Sequence, residues 1–164
     1  MSAYITLATP MIDQECLVAA LVDLGFARKE IEVHAEAVPL VGYRGRARQQ
    51  LAHVVIRRAR VGSGSNDIGF ERTDTGFRAH ISNYDHPRYG GSWFSKLQAR
   101  YAEHDRVKQE RLAEIEARRR EEARQQLIEA QRKAVHAKAR KMGYRVKETR
   151  EGERVRLVLV KRVY

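Results

Sequence analysis

Cysteine is nearly absent from this chain of 164 residues: Cys16 is the only one, so no intrachain disulfide can form. A protein without disulfides suits a reducing compartment. No stretch approaches the roughly 20 consecutive apolar residues that a membrane-spanning helix needs. Residues 1–25 lack the basic region and the long apolar run of a signal peptide. The sequence therefore predicts a cytoplasmic protein with no membrane partner, in which Cys16 is a small core residue.

The sequence also lacks the short motifs of common enzyme classes. It contains no Gly-rich P-loop, no His-Glu-x-x-His segment and no Gly-x-Ser-x-Gly segment. Its six histidines show no metal-ligand spacing, and one cysteine cannot build a thiolate cluster. His80, Asp85 and His86 would converge only if their loop folded back, and we do not expect a metal there. We therefore assign no catalytic residue, cofactor or metal, and an enzyme is the less favoured class.

Basic residues are concentrated in the second half. The chain holds 32 Lys and Arg against 21 Asp and Glu, a net charge of +11. Residues 1–95 hold 11 basic and 10 acidic residues (net +1), whereas residues 96–164 hold 21 and 11 (net +10). Such asymmetry is typical of proteins with an anionic partner, either nucleic acid or an acidic protein surface. The alternative is a solvated helix that happens to be rich in arginine.

Glycine and proline are both absent from residues 92–142, which are instead dense in strong helix formers. The composition predicts one helix of roughly 75 Å, with Ser92 as the N-cap and Gly143 just beyond the C-terminus. Between about residues 103 and 126 the only large apolar residues are Val107, Leu112 and Ile115, too few for a buried face. We expect a solvent-exposed helical arm at residues 106–133. Two halves folded back as a hairpin remain the alternative, although the lack of a breaker argues against it.

The remaining residues predict an α+β fold. Alternation and turn residues indicate strands at Tyr4–Leu7, Ile31–Val38, His53–Arg58, Asp67–Arg72, Phe77–Ser82, Tyr144–Lys147 and Val155–Val163. Asp13 is placed to cap a first helix from Gln14 to about Leu24. Pro39 is expected to interrupt the second strand, and Gly62–Asn66 to form a flexible turn. The prediction is a single antiparallel-sheet domain over residues 1–164, ordered β-α-β-β-β-β-α-β-β, from which the long charged helix projects.

Taken in order, these elements carry short blocks that resemble a known family. The blocks are Met1-Ser2 with Tyr4, Ala20–Gly25, Gly42–Gly45, Ala52–Ile56, Asp67–Phe70, Arg100–His104, Gly143–Val146 and Val155–Leu159. The chain is similar to a domain-of-unknown-function family that includes a hypothetical reading frame carried on some algal plastid genomes and found in cyanobacteria and other bacteria. The resemblance covers nearly the whole chain.

The chain departs from that family at two places. Its relatives usually have an acidic residue where this chain has His53, and their helix is shorter, so that roughly Arg106–Lys133 is inserted here. The resemblance implies no established activity. It implies a context, because bacterial relatives are often encoded beside an AAA ATPase of the MoxR type, which suggests an accessory or adaptor role.

The candidate contact residues combine arginine with aromatic side chains, a pairing that suits both protein interfaces and nucleic acid. One group lies on two loops, and the other lies on the long helix. They are Tyr43, Arg44, Arg46, Arg48, Tyr84, Arg88 and Tyr89 on the loops, and Arg118, Arg119, Arg120 and Arg124 on the helix. Trp93 and Tyr101 are expected to close the core instead.

Two functional hypotheses remain open. The first is a non-catalytic accessory or adaptor protein acting in a protein complex, with the MoxR-type ATPase as the suspected partner. The second is a basic protein that binds nucleic acid, either RNA or the ribosome, through the helix arginines and the Arg44–Arg48 loop. Binding to a protein partner would survive nuclease treatment, whereas the affinity for nucleic acid would fall steeply with rising salt concentration.

Overall fold

The computed structural model describes residues 3–152 and 154–161, without the side chain of Glu151. Its elements are β1 (Tyr4–Ala8), α1 (Gln14–Asp23), a 3₁₀ turn (Arg28–Glu30), β2 (Ile31–Val41), β3 (Ala47–Ile56), α2 (Arg58–Val61), β4 (Ile68–Thr73), β5 (Gly76–Ser82), α3 (His86–Tyr89), α4 (Gly91–Lys141), β6 (Tyr144–Glu151) and β7 (Arg154–Lys161). The α+β class and the predicted order are confirmed. Met1, Ser2 and the predicted strand end at Arg162 and Val163 lie outside the described residues.

The chain divides into two compact units, residues 1–110 (unit 1) and residues 111–164 (unit 2). Unit 1 is built on a five-stranded antiparallel sheet in the order β1-β5-β4-β3-β2. Helix α1 and the first turns of α4 cover one face of this sheet. The shared core contains Leu17 and Leu21 from α1, Phe70 and Phe77 from the sheet, and Leu97 from α4. Burial of these side chains contributes about 1.5–3 kcal/mol each, which makes this core the main source of unit 1 stability.

Helix α1 begins where its sequence predicts. The Asp13 side chain accepts a hydrogen bond of 2.9 Å from Cys16 N, and Asp13 is the N-cap. Lys108 of α4 donates to Asp13 Oδ2 and to Glu15 Oε2, both at 2.7 Å. Tyr101 Oη accepts the backbone N–H groups of Ile12 and Asp13. The start of α1 is therefore held to α4 within unit 1, and the core role predicted for Tyr101 is confirmed.

The expectation that Pro39 interrupts the second strand is wrong. Strand β2 continues to Val41, and Pro39 is paired in register with Leu51. The residue is tolerated because β2 is an edge strand, where a missing N–H leaves no partner unpaired. Register shifts between Val33 and Val38 and between Pro39 and Val41 add bulges beside it. Bulges bend a strand and increase its twist.

The bent hairpin β2–β3 brings a second, smaller apolar cluster together on the face of the sheet opposite the helices. Leu40, Ala52 and Val55 form it, with Tyr4 and Val38 packed at its edge. Gly69 lies directly beneath: a Cβ at this position would come within 2.6 Å of Leu40 Cδ2 and 2.7 Å of Ala52 Cβ. The backbone of β4 can approach the hairpin this closely only because residue 69 has no side chain.

Helix α4 is one uninterrupted helix of 51 residues, so the alternative of two halves folded back as a hairpin is wrong. Its start differs by one position from the prediction. Because the helix already includes Gly91, Ser92 lies in the first turn and is not the N-cap. The end is as predicted, with Gly143 at φ +78° after the last turn. Every residue from 109 to 135 is exposed.

Unit 2 joins the second part of α4 to the antiparallel hairpin β6–β7, which forms a sheet of its own. Glu148 of β6 accepts hydrogen bonds from Arg132 and His136 of α4, and these bonds lower the pKa of its carboxyl. Among the described residues of this unit, Ala139 is the one hydrophobic side chain that is fully buried. Polar and ionic contacts therefore hold this unit more than an apolar core does.

Candidate interaction surfaces

Three loops of unit 1 are joined by hydrogen bonds and form what we call the loop surface, residues 42–46, 62–66 and 83–85. Tyr43 N donates to Asn66 Oδ1 at 2.8 Å. Asp85 accepts hydrogen bonds from Ser65 Oγ and Ser82 Oγ. The turn expected at Gly62–Asn66 is present, but Ser65 and Asn66 within it are buried and bonded to the other two loops.

Asp67 anchors this surface to the sheet, and sequence reasoning missed it. Its carboxylate is fully buried and accepts from Val41 N (2.8 Å), Arg57 Nη1 (2.9 Å) and Arg58 N (2.7 Å). Its backbone oxygen accepts from Tyr4 Oη at 2.9 Å. A buried carboxylate with a charged partner and two backbone donors is strongly held in place. The one available signal was an acid directly before the apolar start of β4, which is also typical of an ordinary turn.

The exposed part of the loop surface includes two arginines and one tyrosine. The Tyr84 side chain is 65 % exposed. Arg44 and Arg46 are exposed, and the Arg44 guanidinium lies 5.2 Å from the centre of the Tyr43 ring. Arg48 lies outside the loop surface, half-buried on β3, and its guanidinium is 5.9 Å from the centre of the Tyr4 ring. Both predicted loops therefore meet the same third loop, as the composite surface proposed from sequence requires.

Two of the loop candidates lie in a different setting. Tyr89 is buried, and its ring is 5.3 Å from Trp93 and 6.1 Å from Phe26. Trp93 packs against the same core, so its predicted structural role is confirmed. Arg88 is exposed but lies over the Tyr89 ring at 5.0 Å. Tyr89 is thus a core residue in this structure, and Arg88 covers it.

Most of the candidate arginines on α4 are engaged by neighbouring carboxylates. Arg118 pairs with Glu122, Arg120 with Glu116, and Arg124 with Glu121. These are exposed pairs one turn apart, which stabilise a helix by about 0.2–0.5 kcal/mol each. Within the described part of the chain, Arg119 is the member of this group without a recorded ion pair.

Among the described residues, the remaining titratable groups have structural contacts. Burial raises the pKa of the Cys16 thiol to about 11, so this buried side chain stays protonated as a core residue does. His80 contacts Thr6 and Glu71, and burial lowers its pKa despite the nearby carboxylate. Asp85 instead bonds two serines. Over residues 3–152 and 154–161, no three His, Cys, Asp or Glu side chains are grouped to hold a metal.

These features define a class of protein: an α+β protein with a long charged helix and exposed arginine–tyrosine loops. None of the helices described is both long and apolar enough to cross a membrane. Residues 20–130 match the family model described as "Protein of unknown function (DUF1257)". Because that match covers more than half of the chain, the protein belongs to this family. No curated protein and no solved structure matches it.

Proposed function

We propose that the protein is a non-catalytic accessory protein that binds a protein partner through the loop surface. The observation that carries this proposal is the pre-ordered set of exposed Tyr84, Arg44 and Arg46 on loops fixed by buried hydrogen bonds. Tyrosine and arginine are enriched among residues that dominate binding energy at interfaces. Loops that are already ordered lose less conformational entropy on binding.

A buried polar group beneath this surface supports the same proposal. Among the buried polar side-chain atoms of the described residues, Asn66 Nδ2 lacks a hydrogen-bond partner. An unpaired buried donor destabilises a fold by about 1–3 kcal/mol, and native proteins keep few of them. We infer that Asn66 is kept here because its other amide atom fixes the loop that carries Tyr43. Asn66 lies directly under Tyr43, to which its other amide atom is bonded.

The partner class rests on the family resemblance and not on geometry. We propose an AAA ATPase of the MoxR type as the partner to test first. The single cysteine leads us to propose the cytoplasm as the compartment.

The test is a pulldown of the tagged full chain from nuclease-treated native lysate, followed by the same experiment with purified ATPase. R44E/R46E reverses two charges on the loop surface, and K96E/R100E reverses two exposed charges on α4 as a matched control. We expect R44E/R46E to recover at least tenfold less of the partner than the wild type, and K96E/R100E to recover the wild-type amount. Equal recovery with both variants would contradict the proposal.

A second candidate function, binding of nucleic acid, is favoured by the charge of unit 2. Residues 111–164 carry 17 Lys and Arg against 8 Asp and Glu, a net charge of +9, whereas residues 1–110 carry 15 against 13, a net of +2. A net charge of this size on 54 residues attracts polyanions at long range. Binding of a labelled oligonucleotide that is unchanged between 50 and 200 mM salt would contradict this candidate.

A further inference from the structure

The hairpin β6–β7 has two faces of different chemistry. Because side chains alternate along a strand, Tyr144, Val146 and Glu148 share one face, and Arg145, Lys147 and Thr149 share the other. Glu148 bonds Arg132 and His136 of α4, so the first face is turned toward the helix. The second face, which we call the outer face, is turned away from it. Its other described members are Arg154, Arg156, Val158 and Val160.

The outer face carries one cation at each of four successive cross-strand pairs. The pairs are Arg145 with Val160, Lys147 with Val158, Thr149 with Arg156, and Glu151 with Arg154. Successive pairs on one face are about 6.8 Å apart, because each residue rises about 3.4 Å. The four cations therefore form a row of about 20 Å that changes from β6 to β7 halfway along the ribbon.

The four cations of this row are available to a ligand. Arg145, Lys147, Arg154 and Arg156 are all exposed. No hydrogen bond or ion pair to a described carboxylate is recorded for any of them; the side chains of Glu151 and Glu153 are outside the described part. The α4 arginines differ, because three of the four candidates are paired with glutamates. The outer face thus carries four cations against one acid, Glu151 opposite Arg154, and is a net positive surface of unit 2.

We propose that the outer face of β6–β7 binds double-stranded DNA as a two-stranded ribbon in the major groove, an inference that rests on the second candidate function. A row of about 20 Å spans about six base pairs at 3.4 Å per pair. The major groove is about 12 Å wide and admits a ribbon whose strands lie about 4.8 Å apart. Thr149 adds a hydroxyl that donates to phosphate, and the methyl groups of Val158 and Val160 suit contact with thymine methyls.

Other polyanions fit this face less well. Single strands are usually held by aromatic side chains that stack on bases, and the described residues of the outer face include no aromatic. The major groove of duplex RNA is too deep and narrow for side chains to read. An acidic polypeptide carries at most one charge per 3.4 Å of extended chain, half the linear charge density of duplex DNA. Duplex DNA is therefore the occupant that both the charge and the spacing favour.

The test compares two variants of the full chain that each remove four positive charges. R145Q/K147Q/R154Q/R156Q neutralises the row, and R118Q/R119Q/R120Q/R124Q neutralises four arginines of α4. Fluorescence anisotropy follows a labelled 20-base-pair DNA between 50 and 200 mM salt. Four phosphate contacts give a slope of about −3.6 in log K against log salt, which is about 150-fold over this range. We expect the row variant to lose most of that slope and the α4 variant to change it by less than one.

The outcomes separate this inference from the function on which it rests. If the wild type binds neither DNA nor RNA, both fail; if it binds RNA but no DNA, the second candidate function stands and the ribbon proposal is overturned. If it binds and the two variants lose the slope equally, the second candidate function stands and the ribbon proposal is overturned. Tighter binding of single-stranded DNA, duplex RNA or poly-glutamate of equal charge also overturns it. Far-UV circular dichroism checks that each variant folds. If the quadruple variant unfolds, it is replaced by two double variants, R145Q/K147Q and R154Q/R156Q. We expect each double variant to lose about half of the slope.

Discussion

Replacement of Asp67 by Asn tests whether a buried carboxylate holds the loop surface in place. Asn has nearly the same shape but only one acceptor oxygen and no charge. In either orientation of the amide, at least one of the donors Val41 N, Arg57 Nη1 and Arg58 N faces an NH₂ group. A buried donor left unpaired costs about 1–3 kcal/mol, and removing one partner of a buried ion pair costs about 3–5 kcal/mol.

The expected loss lies at about 3 kcal/mol, where those two ranges meet. The Arg57 side chain is 34 % exposed and keeps a second carboxylate partner in Glu32, so it is not left without a counter-charge. We therefore expect D67N to destabilise unit 1 by about 3 kcal/mol. With a urea m-value of about 2 kcal/mol per molar, the unfolding midpoint falls by about 1.5 M.

The single tryptophan makes the assay specific to unit 1. Trp93 is the only Trp in the chain, and it packs against Phe26 and Tyr89 of the unit 1 core. Its fluorescence during urea unfolding therefore reports this unit alone. D74N, in the exposed turn between β4 and β5, is the matched control and should change stability by less than about 0.5 kcal/mol. A D67N midpoint as close to wild type as that of D74N would refute the reasoning.

Three further predictions concern packing, acid stability and the helix. G69A should destabilise unit 1 by about 1–3 kcal/mol, because its methyl group overlaps Leu40 and Ala52; the double variant G69A/A52G should recover part of the loss. The lowered pKa of His80 means that the unfolded chain takes up a proton first, so stability is full above about pH 6.5 and falls as the pH drops below it. H80Q should flatten this loss in urea titrations at pH 7, 6 and 5. Deletion of residues 112–133, which keeps Lys108 and its bonds to α1, should leave the Trp93 unfolding transition within about 0.5 kcal/mol.

Each of these three has an outcome that would contradict it. G69A at or above wild-type stability would mean that the hairpin β2–β3 does not approach β4 as closely as described. An H80Q profile parallel to the wild type would remove His80 as a source of acid sensitivity. Loss of the cooperative Trp93 transition on deletion would show that unit 1 depends on the exposed helix, contrary to the predicted appendage at residues 106–133.

Elements specified by neighbouring residues were predictable from sequence. The Asp13 cap, the strands on either side of residues 74–76 and the helix ending before Gly143 each depend on residues close in sequence. The exposed middle of α4 followed in the same way from the few apolar residues there. Local propensity and local pairing decide such features.

The arrangement of the candidate surface was predictable only in outline. Its Tyr and Arg residues could be named, but the contacts that position them join residues far apart, such as Tyr4 with Asp67 and Tyr43 with Asn66. No periodicity encodes such pairs. The continuation of β2 through Pro39 depended on its position at the sheet edge, and the cation row of β6–β7 depended on strand register. Both are properties of the assembled sheet.

The most direct test of the account replaces Tyr84 with a photo-crosslinking residue and compares it with the same residue in place of Asp74. Both positions are exposed, but only position 84 belongs to the loop surface. We expect a discrete, nuclease-resistant protein adduct from position 84 in living cells and none from position 74. No adduct at position 84, or the same adducts from both positions, would contradict the claim that the loop surface binds a protein partner.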